Sequence, residues 1–223
     1  MVQRDPAQPE RDADRTEAAP PGSRPTQAER RALSEQRLLE AAIQLIAEQG
    51  CSRTTLAQIG EQAGYSRGLV TERFGSKQGL VEILARKIQE RFAFEALGPA
   101  LEGRTGLRAV LILADTYLDA LERGSETVRA YYVLMAESIG LVPEVRPTFA
   151  RANREFRAVV EGWIRDGVEA GEIRDDVQAA AHAASLVGTL RGIALQWLVD
   201  PDGIDLEFLR SELRDSLEKA LAR

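Results

Sequence analysis

From Thr26 onward the apolar residues recur every three or four positions, the spacing of one helical face, and no segment alternates as a strand would. Leu38, Ala42, Leu45 and Ile46 define a first helix that opens at the capping box Thr26-x-x-Glu29 and closes at Gly50. A second capping box, Thr55-x-x-Gln58, starts a short helix with Leu56, Ile59 and Ala63 inward, and Gly64 stops it. Ser66 caps another short helix, with Val70 and Phe74 as its apolar pair and Gly75 at its end. Ser76 then caps a long helix carrying Leu80, Ile83, Leu84, Ile88 and Phe92, which Gly98-Pro99 is expected to break. Five further helices are expected at roughly 106–122, 126–140, 145–171, 176–199 and 205–221, separated at Gly124-Ser125, Pro143–Pro147, Gly171–Asp176 and Asp200–Gly203. The fold class is all-α: an N-terminal three-helix helix-turn-helix domain followed by a C-terminal helical bundle.

The first stretch differs in composition. Residues 1–25 hold five of the nine prolines and no Leu, Ile, Phe, Tyr or Trp, which reads as a disordered tail. The tail's net charge of −1 does not make a strong DNA-binding arm. The expected division is a tail 1–25, a helix-turn-helix domain 26–76 and a C-terminal helical domain 77–223.

Composition narrows the function. The chain has one Cys and one His among 223 residues, too few for a zinc or iron–sulfur centre. A catalytic triad would have to use His182, which lies among alanines. No metal, cofactor or catalytic residue is expected. No stretch approaches the ~18 apolar residues of a membrane span, and the first residues carry no apolar signal core. A cytoplasmic location is expected. The net charge of −6 argues against a protein that coats nucleic acid generally. Thr26–Lys77, however, is +1 whereas the remainder beyond it is −6, so the N-terminal end is the non-acidic part.

That end carries the most informative pattern. Leu56–Ala63, the turn Gly64-Tyr65 and Ser66–Phe74 form a helix-turn-helix, in which the second helix offers its N-terminal residues to a major groove. Thr55 and Ser66 sit at helix starts, where free N–H groups suit phosphates, and Lys77 can reach one too. The ungapped run Thr54-Thr55-Leu56-Ala57-Gln58-Ile59-Gly60-Glu61-Gln62-Ala63-Gly64-Tyr65-Ser66-Arg67-Gly68-Leu69-Val70-Thr71-Glu72-Arg73-Phe74-Gly75-Ser76-Lys77 resembles the DNA-binding signature of the TetR family. Three positions depart from the common pattern. Gly60 replaces a usual Ala, Thr71 a frequent Tyr, and Glu72 a frequent His or Tyr. Glu72 either accepts from cytosine N4 or pairs with Arg73 and stays off the DNA.

The resemblance implies that Arg67, Gly68, Leu69 and Thr71 face bases and sugar-phosphate. It implies that Thr54, Thr55, Ser66, Arg73 and Lys77 contact phosphates. Arg67 suits a bidentate contact to guanine O6 and N7, or a plain phosphate contact.

Ten of the twelve aromatics lie beyond residue 90. Residue by residue they read as core. The resemblance implies instead that Phe92, Tyr117, Tyr131, Tyr132, Met135, Phe156 and Trp163 line a ligand cavity. His182 fits a packing seam or a ligand contact. The resemblance further implies that the last two helices form a homodimer's four-helix interface, through His182, Leu186, Leu190, Ile193, Trp197, Leu209 and Leu213. The implied function is a DNA-binding transcriptional regulator, a repressor released from a pseudo-palindromic operator by a small apolar or amphipathic ligand. The expected partners are double-stranded DNA and that ligand, with no membrane partner. Two other functions compete: a DNA-binding architectural factor without an effector, and a helical carrier or enzyme with a vestigial DNA head.

Overall fold

The computed structural model describes residues 26–123 and 126–223. The expected tail 1–25 and the expected break at Gly124-Ser125 lie outside them. Among the described residues ten α-helices follow in order: α1 Gln27–Gln49, α2 Leu56–Ala63, α3 Arg67–Phe74, α4 Lys77–Arg91, α5 Gly98–Leu101, α6 Gly106–Glu122, α7 Glu126–Glu137, α8 Arg146–Glu169, α9 Ala179–Val199 and α10 Leu206–Leu221.

Local chemistry sets the helix starts. Thr26 Oγ1 accepts from the Glu29 N–H at 3.2 Å while Glu29 Oε2 accepts from the Thr26 N–H at 2.7 Å. Thr55 and Gln58 make the same reciprocal pair at the head of α2. Ser66 and Ser76 cap α3 and α4 through Leu69 N–H and Gly79 N–H. Gly64 turns the chain between α2 and α3 at φ 77°, a left-handed conformation that costs glycine nothing. Gly60 lets that turn sit close: a Cβ there would lie 2.9 Å from the Tyr65 carbonyl oxygen.

One expectation needs correction. The chain does not break at Gly98-Pro99. Instead α4 widens into a π-helical segment, Phe92–Leu97, and runs on as the short α5. The widened turn lets Gly98 N–H reach Ala93 O, and Pro99, which has no N–H to place, starts the next helix.

The packing does not respect the expected boundary at residue 76. Leu38, Ile46, Ile59, Val70 and Phe74 form one buried core with Leu80, Val81 and Leu84 of α4. Ala130 and Leu134 of α7 and Phe149 of α8 complete that core. A second core joins α6, α8 and α9 through Val110, Leu113, Val160, Ile164, Leu186 and Leu190. A third gathers Leu118, Leu121, Tyr132, Ile193 and Leu206. The helix-turn-helix head is therefore fused to the bundle by shared apolar burial, the term that dominates folding free energy. Among the described residues no helix is long and apolar enough to cross a membrane.

Candidate nucleic-acid interface and effector pocket

The head presents α3 on the surface. Its inner face is fixed by Val70 and Phe74, both buried. That packing leaves Ser66, Arg67, Gly68, Thr71 and Glu72 exposed and Leu69 half-buried. Thr71 Oγ1 donates to the Arg67 carbonyl at 3.2 Å, so its hydroxyl is satisfied within the helix. Glu72 pairs with Arg73 at 3.2 Å. Of the two readings for Glu72, the pairing is the one seen.

Several expected phosphate contacts are placed differently. Thr54 is only 1% exposed, and its hydroxyl donates to Gly50 O at 2.7 Å. It holds the α1–α2 connector and cannot reach a phosphate. Arg73 is mostly buried, with its Nε shielded from solvent and without a partner. Lys77 Nζ donates to the Ser52 carbonyl at 3.3 Å, tying α4 to that same connector. Thr55, Ser66 and Arg67 remain at the surface together, at the starts of α2 and α3.

The connector is gripped from the other side by the bundle. Glu137, the last residue of α7, accepts from Cys51 N–H at 2.6 Å, from Ser52 N–H at 3.2 Å and from Ser52 Oγ at 2.7 Å. Spacing along the sequence could not reveal this contact, because 86 positions separate its partners. Cys51 is fully buried beneath it. Burial pushes the Cys51 thiol up to about 11. Lys77 opposes the shift, and Glu137 and Glu144 reinforce it.

The bundle holds a partly open cavity of about 300 Å³ between α4, the π-helical segment, α6, α7, α8 and α9. Five of the seven expected lining residues are in its wall: Phe92, Tyr117, Tyr131, Tyr132 and Phe156. Met135 and Trp163 are not. Met135 packs between the head core and the third core, and Trp163 packs on the α6–α8–α9 core. The sequence reading missed Gln89, Glu155 and Arg191, polar residues spaced among apolar ones. The rings pack edge to face, with Phe92 and Tyr117 centroids 5.8 Å apart and Tyr131 and Tyr132 6.0 Å apart. Tyr117 and Tyr132 share a short hydroxyl–hydroxyl hydrogen bond, and Gln89 Nε2 donates to the Tyr131 hydroxyl at 3.1 Å. Burial raises the pKa of all three tyrosines, while the Arg191 charge pulls each one down. They stay neutral at physiological pH.

The expected dimer residues divide into two sets. Leu186, Leu190 and Ile193 are buried in the protomer's own cores and are not available to a second copy. Trp197, Leu209 and Leu213 are half-buried against the third core, and His182 is half-buried near the start of α9. The outward stripe of α9 is Gly188, Gly192, Leu195 and Val199, at spacings of four, three and four. A Cβ on either glycine would meet nothing within 4 Å, Leu195 is 45% exposed and Val199 85%.

Comparisons with known proteins agree with this arrangement. Residues 38–84 match the family model for bacterial regulatory proteins of the tetR family, and residues 104–222 match the BetI-type transcriptional repressor C-terminal model. The chain is 30% identical over 164 residues to the HTH-type transcriptional repressor KstR2 of Rhodococcus jostii (strain RHA1), covering 72% of this chain and 77% of that protein. It is 25% identical to the HTH-type transcriptional regulator BetI 1 of Chromohalobacter salexigens, covering 83% and 89%. Among solved structures, a transcriptional regulator from Saccharomonospora viridis in complex with choline superposes with a TM-score of 0.72 at 22% identity, over 86% of this chain and 99% of that one. Two family models, one on the head and one on the bundle, and a relative this similar over most of both lengths place the chain in the TetR family of DNA-binding transcriptional regulators.

Proposed function

We propose that this protein is a homodimeric, cytoplasmic repressor that leaves a pseudo-palindromic operator when a small apolar or amphipathic molecule fills the bundle cavity. The observation that carries the reading is the double attachment of the cavity wall to the head. Helix α4 holds Ile88 and Gln89 in the wall and Leu80, Val81 and Leu84 in the head core. Helix α7 holds Tyr131 and Tyr132 in the wall and Glu137 on the α1–α2 connector. A ligand that parts Gln89 from Tyr131 acts on both helices at once.

DNA contact is assigned to Thr55, Ser66, Arg67, Gly68, Leu69 and Thr71. The first two offer helix N-termini to phosphates, and Arg67 reaches base edges. Dimerisation through the outward stripe of α9, together with the exposed Phe208 of α10, supports two α3 helices about one DNA turn (~34 Å) apart. An effector favouring another separation lowers DNA affinity through a coupling free energy of typically 1–3 kcal/mol.

The test is fluorescence anisotropy of the full chain with DNA flanking its own gene, at two salt concentrations and against random duplex. Tight, competitor-resistant and salt-steep binding that apolar ligands reverse is the expected result. Tight binding that no ligand reverses would favour an architectural factor. Ligand binding or turnover without specific DNA binding, including in a genome-wide DNA selection, would favour a carrier or enzyme.

A further inference from the structure

The cavity wall is rich in hydrogen-bond donors and poor in acceptors. Tyr117 and Tyr132 spend one of their two protons on each other. The Tyr131 oxygen accepts from Gln89, and its own proton has no acceptor among the described residues. Two phenolic protons are thus free for a guest.

Arg191 adds to this excess. It stands in the same wall and its charge bears on Tyr117, Tyr131 and Tyr132. Some arginines of the bundle are paired, Arg210 with Asp119 at 2.7 Å, Arg165 with Glu161 and Arg214 with Asp115, whereas Arg191 is the arginine set in the cavity wall. Arg191 has no carboxylate within 4.0 Å among the described residues. Arg191 is half-buried and lies against Tyr117, so its guanidinium, without a carboxylate beside it, is open to an anion that enters the cavity. Among the described residues Glu155 is the one carboxylate of the wall. It is exposed and also lines the adjoining groove that holds Arg86 and Arg151.

We propose that the effector is an amphipathic carboxylate, its apolar tail among Phe92, Leu97 and Phe156 and its carboxylate held by Arg191 with the free hydroxyl protons of the tyrosines. This rests on the reading of the cavity as the effector site and names the chemistry that site selects. A quaternary ammonium of the kind bound in the Saccharomonospora viridis structure meets a cation here and no buried carboxylate.

Isothermal titration of the full chain with decanoate, decanol and decyltrimethylammonium varies the head group at constant tail. Decanoate is expected to bind about tenfold or more tighter than the ammonium, and tighter than the alcohol. Arg191→Gln should erase the preference for decanoate while changing decanol affinity by less than about threefold, and Arg191→Lys should keep part of it. The wild-type ranking alone decides the matter if Arg191→Gln does not fold. Decanol or the ammonium binding as tightly as decanoate, or an equal loss of all three in Arg191→Gln, overturns the carboxylate proposal and leaves the cavity reading standing. No binding of any of the three overturns the cavity reading itself, and this proposal with it.

Discussion

Glu137 Oε2 lies 2.6 Å from the Cys51 backbone nitrogen, and this contact joins the helix of the cavity tyrosines to the turn that launches the helix-turn-helix. The same carboxylate holds both the N–H and the hydroxyl of Ser52. Hydrogen bonds to a charged acceptor are worth more than neutral ones. Glu137→Ala should therefore cost about 1–3 kcal/mol of stability in chemical denaturation and weaken operator binding, because the head loses its orientation. Glu137→Gln should fall between the variant and the parent. An unchanged denaturation midpoint together with unchanged DNA affinity would show that the contact holds nothing.

Arg67 stands exposed at the first position of the recognition helix. If it reads guanine, Arg67→Ala costs about 1–3 kcal/mol on operator DNA and much less on random duplex. Anisotropy on the two duplexes measures the difference. An equal loss on both would assign Arg67 to phosphate alone.

Cys51 gives the protein an alkaline weakness. Its thiol is held neutral, with the pKa raised from 9.0 to about 11 by burial. Folding thus favours the protonated form. This stability is fully present below the unfolded-state pKa and is lost as pH climbs through the interval up to the folded one. A shift of this size corresponds to roughly 2–3 kcal/mol. The buried tyrosines are shifted in the same direction and add losses at higher pH. Denaturation midpoints measured between pH 8 and 10 should fall for the parent and fall less for Cys51→Ala. Parallel slopes in the two proteins would count against this role. The native thiol should also resist alkylation at pH 8 until the chain unfolds.

Gly79 lies in the first turn of α4, where a Cβ would collide with the carbonyl oxygen of Phe74 at the end of α3. Gly79→Ala should cost about 1–3 kcal/mol despite its better helix propensity, because backbone must move to admit the methyl. A thermal midpoint at or above the parent's would refute this.

Gly188 sits on the outward stripe of α9 with open space around it. Gly188→Arg should leave the monomer's thermal stability within about 1 kcal/mol, since nothing in the protomer is displaced. On the dimer reading it should halve the mass seen by light scattering and abolish tight operator binding. A dimer of parental mass would move the interface elsewhere.

Much of this molecule can be read from local signals. Thr26, Thr55, Ser66 and Ser76 mark helix starts because each hydroxyl answers an N–H three residues on, a relation written within four letters of sequence. Val70 and Phe74 announce the inner face of α3, and by subtraction Ser66, Arg67 and Thr71 its outer face. Periodicity also located α6 to α10 to within a few residues. These features depend on neighbours along the chain, so the chain alone suffices to determine them.

The remainder depends on neighbours in space. Thr54 and Thr55 are alike in the sequence, and only the packing of the connector buries one and exposes the other. Leu186, Leu190 and Ile193 have the same apolar signature as Leu195 and Val199. The crossing of α8 and α6 against α9 decides which set turns inward. Arg191, one of many arginines, becomes distinctive because the fold sets it in the cavity wall beside the tyrosines of α6 and α7. Helix propensity and hydrophobic period are one-dimensional properties. The pairing of charges, the grip of Glu137 on Cys51 and the shape of the cavity arise from distances between residues far apart in the chain, and the tertiary fold alone sets those distances.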